Sequence, residues 1–183
     1  FPFLFIWMSK VARAVEFRHW GMMLVTLAGA TWATLGSFQY FPHSISYFNE
    51  LVGGPTNGHE HLLDSNVAWG QDLLYLRGWL DSHPDARPLQ LAAFGWIDPR
   101  LAGIAFRLPP LGPDQPVISH SSGATSELGP RPGWYAIDVN FLHGTHWPAP
   151  NGDGGWRDIA TSGLNYEYFR CFEPVDRVGY SFH

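Results

Sequence analysis

Metal binding is the first chemistry to consider, because the 183-residue chain contains nine histidines. Two pairs have ligand-like spacing: His59 and His61 are separated by one residue, and His143 and His146 are three apart. A zinc site needs three or four convergent ligands, usually with cysteine or carboxylate among them. The two pairs lie far apart in the sequence, in segments typical of loops. We therefore predict no metal site.

The other reactive side chains have no motif around them. Cys171 is the only cysteine, and an inert thiol is favoured over a nucleophile. Asp64, Asp72 and Asp138 have side chains suited to acid–base chemistry, but nothing in their spacing pairs them. Asp64 suits a helix start, and Asp72 suits the solvent face of that helix. No hydrolase, phosphate-loop, dinucleotide or haem motif occurs. We predict no catalytic residue and no cofactor.

A charge-free segment near the start separates two parts of the chain. Between Arg18 and Glu50 there is no Asp, Glu, Lys or Arg, and residues 20–41 are long and apolar enough to span a membrane. Aromatic side chains stand at both ends of this segment, where they suit the membrane interfaces. Small residues along it let another helix approach closely. We expect it to contact the lipid bilayer and other integral membrane proteins.

Charges before this segment predict its orientation. The connection 9–19 carries Lys10, Arg13 and Arg18 against a single acid, so the positive-inside rule makes it cytoplasmic. The segment then leads outward, to the periplasmic side of a bacterial inner membrane. The absence of an Asn-x-Ser/Thr acceptor agrees with a bacterial origin. The net charge of -5, with no basic run, argues against nucleic acid as a partner.

The predicted fold class is α/β: a small mixed sheet with flanking helices, preceded by one complete transmembrane helix and a partial apolar helix. The predicted domains are a membrane anchor at 1–41 (partial apolar helix 1–8, cytoplasmic connection 9–19, transmembrane helix 20–41) and an extracytoplasmic α/β domain at 42–183.

Turn residues and apolar spacing predict the elements of the second domain. Asp64 and Ser65 offer caps for an amphipathic helix. Its apolar face would carry Val67, Trp69, Leu73, Leu76 and Leu80, with Gln71, Asp72, Arg77 and Asp81 facing away. The other predicted elements are a short helix at 46–51, a buried strand at 89–94, a short helix at 98–103, a strand at 104–108, a loop at 109–132, a central strand at 133–142, a helix at 156–169 and a final strand at 176–182.

Short blocks of sequence match the pattern of a known family. They are Pro42-His43, Tyr47 to Glu50, Gly53 to Pro55, Asn57-Gly58, Asp64 to Asn66, Trp69 to Leu73, Pro132 to Ala136, Asn140, Phe172 to Val175 and Gly179 to Ser181. With these blocks the chain resembles the C-terminal region of bacterial membrane glycosyltransferases that use polyprenyl-phosphate sugars, in the protein-mannosyltransferase and aminoarabinose-transferase superfamily. The resemblance covers residues 38–182.

The resemblance implies a domain separated from its chemistry. In that superfamily the catalytic acid lies in an early extracytoplasmic loop and the lipid-linked donor binds among membrane helices, and this sequence contains neither region. Two departures from the family pattern stand out. Val67-Ala68 occupy positions where the family usually has an acid, and His59 and His61 replace aromatic or basic residues.

Three functions remain open from the sequence. The first is a non-catalytic, membrane-anchored accessory or structural subunit of a larger membrane complex, of the respiratory or photosynthetic kind. The second is the C-terminal part of an active glycosyltransferase. In that case the residues that hold acceptor or donor groups of a lipid-linked sugar would be Asn49, Asn66, Trp69 and Gln71. The third is a periplasmic glycan-binding module, in which aromatic faces such as those of Trp134 and Trp156 stack on sugar rings.

Overall fold

The computed structural model describes Phe3, Ile6, Ser9 and Lys10, residues 20–110, Gly112, and residues 129–158 and 165–183. The chain divides into two compact units, Phe1–Ser44 and Ile45–His183. Most of the predicted partial helix 1–8 and of the connection 9–19 lies outside the described residues, although Phe3, Ile6 and Lys10 are helical.

The first unit contains one long helix, α1, at Trp20–Gln39. Its 20 residues have a mean hydropathy of 1.3 in the most apolar window, and Gly36 is its only buried residue. The hydroxyls of Thr26, Thr34 and Ser37 each donate to the carbonyl four residues earlier, at 2.8 Å. These bonds satisfy the hydroxyls without water. The predicted segment 20–41 thus contains one helix, which is long enough and apolar enough to cross a membrane.

The second unit is built on a three-stranded parallel sheet. Its strands are β1 (Leu89–Ala92), β2 (Phe106–Arg107) and β3 (Trp134–Ile137), in the spatial order β2-β1-β3. β1 pairs with β3 in the register Leu89↔Trp134 to Ala92↔Ile137. β1 is a short apolar run buried on both faces, as a central parallel strand must be. The strand predicted at 89–94 is confirmed, and that at 104–108 shortens to β2.

A separate antiparallel ribbon completes the strand content of the described residues. It joins β4 (Pro148–Pro150) to β5 (Trp156–Asp158). The Asn151 side chain closes the connecting turn by accepting from the amides of Asp153 and Gly155, both at 3.0 Å. The α/β class predicted from the sequence therefore holds, but the main sheet is purely parallel and the antiparallel strands lie apart from it.

The amphipathic helix is shorter than predicted. It forms α2 at Leu73–Ser82, with Leu73, Leu76 and Leu80 buried. Asp64–Asn66 is an isolated 3₁₀ turn, so the prediction of a helix starting at Asp64 is wrong. Gly70 separates this 3₁₀ turn from α2, because its φ of 87° is incompatible with a right-handed helix.

Two hydrophobic clusters cover the two sides of the parallel sheet. One joins α2 to Leu89, Leu91, Ala136 and Phe182. The other contains Ala92, Phe94, Ile137, Phe141 and Tyr166. A further short helix, α3 at Val139–Leu142, follows β3 directly and all four of its residues are buried.

Four further predicted elements differ from the structure. The helix at 46–51 is replaced by 3₁₀ turns at Ser44–Ser46 and Glu50–Val52. The strand at 133–142 ends at Ile137, because the Asp138 side chain caps α3. The prediction of a helix at 156–169 is wrong. The described residues of this segment form β5 and part of a 3₁₀ segment at Glu167–Cys171, and residues 159–164 lie outside the described set. Instead of a strand at 176–182, isolated bridges form at Val178↔Phe182 and Asp138↔Phe182.

The short helix at 98–103 is confirmed as a 3₁₀ turn at Pro99–Ala102. Of the loop at 109–132, residues 109–110, Gly112 and 129–132 are described, and no helix or strand is assigned to them.

Candidate functional site

Three of the four predicted binding residues lie in one turn, and each is bonded to the chain itself. Asn66 is exposed and donates to the Leu63 carbonyl at 3.0 Å. Trp69 is 49% exposed, and its Nε1 donates to the Ser65 carbonyl at 3.1 Å. Gln71 accepts from the Trp69 amide and donates to the Val67 carbonyl, at 2.7 and 2.9 Å. These bonds stabilise the turn that precedes α2.

The fourth residue, Asn49, belongs to a different turn. Its side chain accepts from the Leu51 amide at 3.0 Å and caps the 3₁₀ segment Glu50–Val52. Its carbonyl accepts from the amides of Val52 and Gly54. A structural role therefore accounts for each of the four side chains, and their binding role remains a prediction from the resemblance.

Asp72 is the first residue whose position the sequence prediction misplaced. It was expected on the solvent face of its helix, but it is fully buried. Its Oδ2 accepts from the amides of Tyr180 and Ser181 at 3.0 and 3.1 Å, and from the Ser181 hydroxyl at 2.8 Å. A Cβ at Gly179 would collide with this carboxylate. Asp72 thus fastens the C-terminal segment to the start of α2.

Asp138 is the second buried carboxylate, at the carboxyl end of β3. Its Oδ1 accepts from the amide and the side-chain nitrogen of Asn140, at 2.9 and 3.0 Å. Burial raises the pKa of Asp138 to about 7, with a smaller contribution from the negative charge of Asp72. The Asn140 side chain in turn accepts from the Asp64 amide.

The chemistry open to this acid pair is limited by its surroundings. A pKa near 7 suits proton transfer at neutral pH. The carboxylates of Asp72 and Asp138 are nevertheless fully buried and bonded to the chain's own amides. Carboxyl ends of parallel strands are where ligands bind in open α/β sheets. Here that edge holds a structural network linking α2, β3 and the C-terminal segment.

Three histidines from distant parts of the chain meet in the second unit. The ring centroid of His59 lies 5.1 Å from that of His143 and 5.6 Å from that of His183. The buried Nδ1 of His59 has no hydrogen-bond partner among the described residues. The sequence paired His59 with His61 and His143 with His146; the structure takes one member of each pair and adds His183. Within the described ranges, no group of three ligands is arranged to hold a metal ion.

Burial keeps these imidazoles neutral. Desolvation is the largest cause in all three cases, and it lowers the pKa of His183 to about 4. The pKa values of His59 and His143 are lowered as well, with smaller contributions from Arg177 at His59 and Arg170 at His143. The cluster is therefore a packed group of neutral rings at pH 7.

A cavity of about 560 Å³ opens beside β3. Its walls are mainly aromatic and aliphatic, and they include Leu76, Trp79, Trp134, Tyr135, Phe169, Phe172, Val178 and Phe182. Trp79 and Trp134 contact each other edge to face at 5.7 Å between ring centroids. The Trp79 Nε1 donates to Asp176 at 2.7 Å, which fixes the indole in the wall. The size and apolar lining are those of a small-ligand or peptide site.

The comparisons with known proteins give no relatives. No protein-family model matches the chain, and no curated protein or solved structure matches it. The functional reading therefore depends on the chain's own geometry.

Sequence reasoning missed Asp72, the histidine cluster and the cavity for different reasons. Asp72 lies four residues before Leu76 and eight before Leu80, which is the spacing of one helix face. That signal was available. The meeting of His59, His143 and His183 depends on tertiary folding, and no local spacing reports it. Most of the cavity lining comes from segments predicted as loop or strand, such as residues 130–137 and 176–178.

Proposed function

We propose that this chain is a non-catalytic, membrane-anchored accessory subunit of a larger membrane protein assembly. The observation that carries the proposal is α1. It is apolar along its whole length, and only Gly36 is buried inside the chain. A helix that is apolar all round needs lipid or other helices as its surroundings. The domain 45–183 would then lie on the periplasmic side of a bacterial inner membrane, as the positive charges before α1 favour.

The domain supports a binding role better than a catalytic one. The buried carboxylates of Asp72 and Asp138 hold loops in place. Its three clustered histidines are packed against one another. The cavity beside β3 has mainly apolar walls. These observations favour recognition of a partner or ligand over acid–base or nucleophilic chemistry.

Lateral contacts of α1 with other membrane helices are the testable core of the proposal. Gly29 lies on α1, and a Cβ added there would meet nothing within 4 Å from the described residues outside its own helix turn. A Gly29→Leu side chain therefore projects into the space that a neighbouring helix would occupy. We expect Gly29→Leu to reduce co-purification of partners after detergent extraction. The matched control, Leu35→Met, keeps side-chain volume on the same helix and should leave co-purification unchanged.

Recovery of the wild-type chain as a free monomer from its own membranes, under conditions that preserve other complexes, would contradict the proposal. Equal partner recovery for wild type and Gly29→Leu would show that this face of α1 is not the contact.

A second candidate is the glycan-binding module, and Trp134 favours it. Trp134 is half-buried and lines the cavity together with Trp79. Trp156, the other expected stacking residue, lies elsewhere, at 6.0 Å from Trp96 between ring centroids. A saccharide in the cavity should change the emission of Trp134, and Trp134→Phe should abolish that change. Lack of any saccharide-dependent change would remove this candidate.

A further inference from the structure

Large apolar side chains lie exposed on the segment that follows β1. Trp96 is 61% exposed and Ile97 is 43% exposed. Trp69, which is 49% exposed, belongs to the turn packed beside them. A Cβ added at Gly70 would lie 3.2 Å from Ile97, and one added at Gly95 would lie 3.4 Å from the backbone carbon of Trp69. We call Trp69, Trp96 and Ile97 the apolar patch.

Packed neighbours hold the two indoles of the apolar patch in place. The ring centroid of Trp96 lies 5.2 Å from that of Trp147 and 6.0 Å from that of Trp156. Trp147 packs in turn against the buried cluster that contains Phe94. The indole of Trp69 is fixed by its bond to the Ser65 carbonyl. Contact with another surface would therefore order little that is not already ordered, which keeps the entropic cost low.

The chain enters the second unit beside this patch. Ser46 is buried, and its hydroxyl donates to the Val67 carbonyl at 2.7 Å. The Gln71 side chain donates to the same hydroxyl at 3.2 Å. Val67 and Gln71 flank Trp69 in one turn, so the point of entry and the patch belong to the same face of the domain.

The length of chain before Ser46 limits how far this face can be from the end of α1. Ser46 follows Gln39, the last residue of α1, by seven residues. Even fully extended, such a segment reaches at most about 25 Å. A short linker also gives a high effective concentration, so that a weak contact with a nearby surface is populated.

We propose that the apolar patch inserts into the interfacial zone of the membrane that α1 spans, among zwitterionic lipid headgroups. Trp is enriched at this depth, because its amphipathic ring has an apolar body and a polar N–H. The proposal rests on the membrane span in the proposed function, and adds a second membrane contact, made by the domain itself.

Charges beside the patch favour zwitterionic over anionic lipid. Arg100 donates to Asp98 at 2.6 Å from its Nη2, so these two charges offset each other next to Ile97. Asp64 is exposed in the segment that leads to Trp69, where an anionic surface would repel it. Phosphatidylcholine meets both conditions, since its headgroup carries no net charge.

The test uses the full chain, labelled with fluorotryptophan, in phosphatidylcholine bicelles, with fluorine NMR as the readout. Substitution of phenylalanine for one tryptophan at a time assigns the resonances. Part of the lipid then carries a doxyl radical on the upper acyl chain. We expect the resonances of Trp69 and Trp96 to be lost by broadening. The resonance of Trp134 should remain, because Trp134 pairs with Leu89 at the start of β1, whereas the patch follows the end of β1.

Two charge substitutions separate lipid contact by the patch from unspecific proximity. Trp96→Asp places a charge in the patch and should restore the Trp69 resonance in doxyl lipid. The matched control is Val175→Asp, at a position that is 85% exposed in the cavity wall; it should leave the Trp69 resonance lost. An unchanged chemical shift of Trp134 in Trp96→Asp shows that the domain remains folded.

Trp32, on α1, separates failure of this proposal from failure of the membrane span. If Trp32 broadens while Trp69 and Trp96 remain visible, the span stands and the patch does not contact lipid. If all three remain visible, the span is wrong and the proposal is wrong with it. A shift of Trp69 and Trp96 with maltohexaose, without broadening by doxyl lipid, would also overturn the proposal and assign the patch to a glycan.

Discussion

The buried carboxylate of Asp72 gives the sharpest test of the fold. Asp72→Ala removes the single oxygen that accepts from the amides of Tyr180 and Ser181 and from the Ser181 hydroxyl. An unsatisfied buried donor costs about 1–3 kcal/mol, and the hydroxyl can turn to another acceptor. Relief of repulsion with Asp138 offsets part of the loss. We expect the free energy of unfolding to fall by about 3 kcal/mol.

Asp81 supplies the matched control, because the sequence pattern predicted the same solvent-facing position for both aspartates. Asp81 is exposed and pairs with Arg77 and Arg87 at 3.1 and 3.2 Å. Exposed pairs of this kind contribute about 0.2–1 kcal/mol, so Asp81→Ala should cost less than about 1 kcal/mol. Urea unfolding of the full chain in nanodiscs, followed by tryptophan fluorescence, measures both variants.

Hydrogen exchange adds a local readout for the same pair of variants. The amides of Tyr180 and Ser181 should exchange faster than in the wild type in Asp72→Ala, and at the wild-type rate in Asp81→Ala. Equal destabilisation by the two substitutions, or unchanged exchange at residues 180 and 181, would refute the assignment of Asp72 as the fastening group.

Three further predictions follow from the histidine cluster, from α1 and from the turn before α2. The pKa of His183 is lowered to about 4 from 6.5, so its contribution to stability is complete above pH 6.5 and is lost as the pH falls from 6.5 towards 4. For a partly exposed ring, the loss in free energy of unfolding is about 2 kcal/mol. His183→Gln should flatten this part of the stability–pH curve. His146→Gln, at an exposed position outside the cluster, should leave the curve unchanged. Leu27→Arg places a charge in the middle of α1, at a cost of about 2.5–3.5 kcal/mol; the variant should be released by alkaline carbonate in a larger fraction than Leu27→Met, and equal retention would count against a membrane span. Gly58→Ala drives a methyl group into the Phe48 ring, and should cost about 1–3 kcal/mol in urea unfolding; Gly78→Ala, on α2 with open space around it, should not destabilise.

Local patterns predicted the parts of the fold that depend on one strong signal. β1 is an apolar run bounded by turn residues, and it forms where expected. The spacing of Leu73, Leu76 and Leu80 predicted the buried face of α2. α1 follows from the length of its charge-free segment.

Elements that depend on side-chain to backbone bonds were predicted less well. A strand was expected through Asp138, but its carboxylate caps a helical turn as soon as β3 ends. A strand was also expected at 176–182. Gly179 turns the chain there with φ 62°, and Asp72 takes the amides of Tyr180 and Ser181. Such bonds compete with regular structure and leave little trace in hydrophobic periodicity.

The candidate site likewise depends on contacts that local sequence patterns do not report. Asn49, Asn66, Trp69 and Gln71 were singled out because they lie in the sequence blocks that resemble the glycosyltransferase family, and in the structure their side chains hold turns and caps. The cavity beside β3 draws on α2, β3 and the C-terminal segment together. Its position depends on how these distant segments pack together, which the sequence alone does not reveal.

Native mass spectrometry of the wild-type chain, extracted from its own membranes in mild detergent, tests the proposed role most directly. An accessory subunit predicts an assembly in which this chain is present in fixed ratio with other membrane proteins. A free chain, with no associated protein under conditions that keep other complexes of the same membrane intact, would contradict the account.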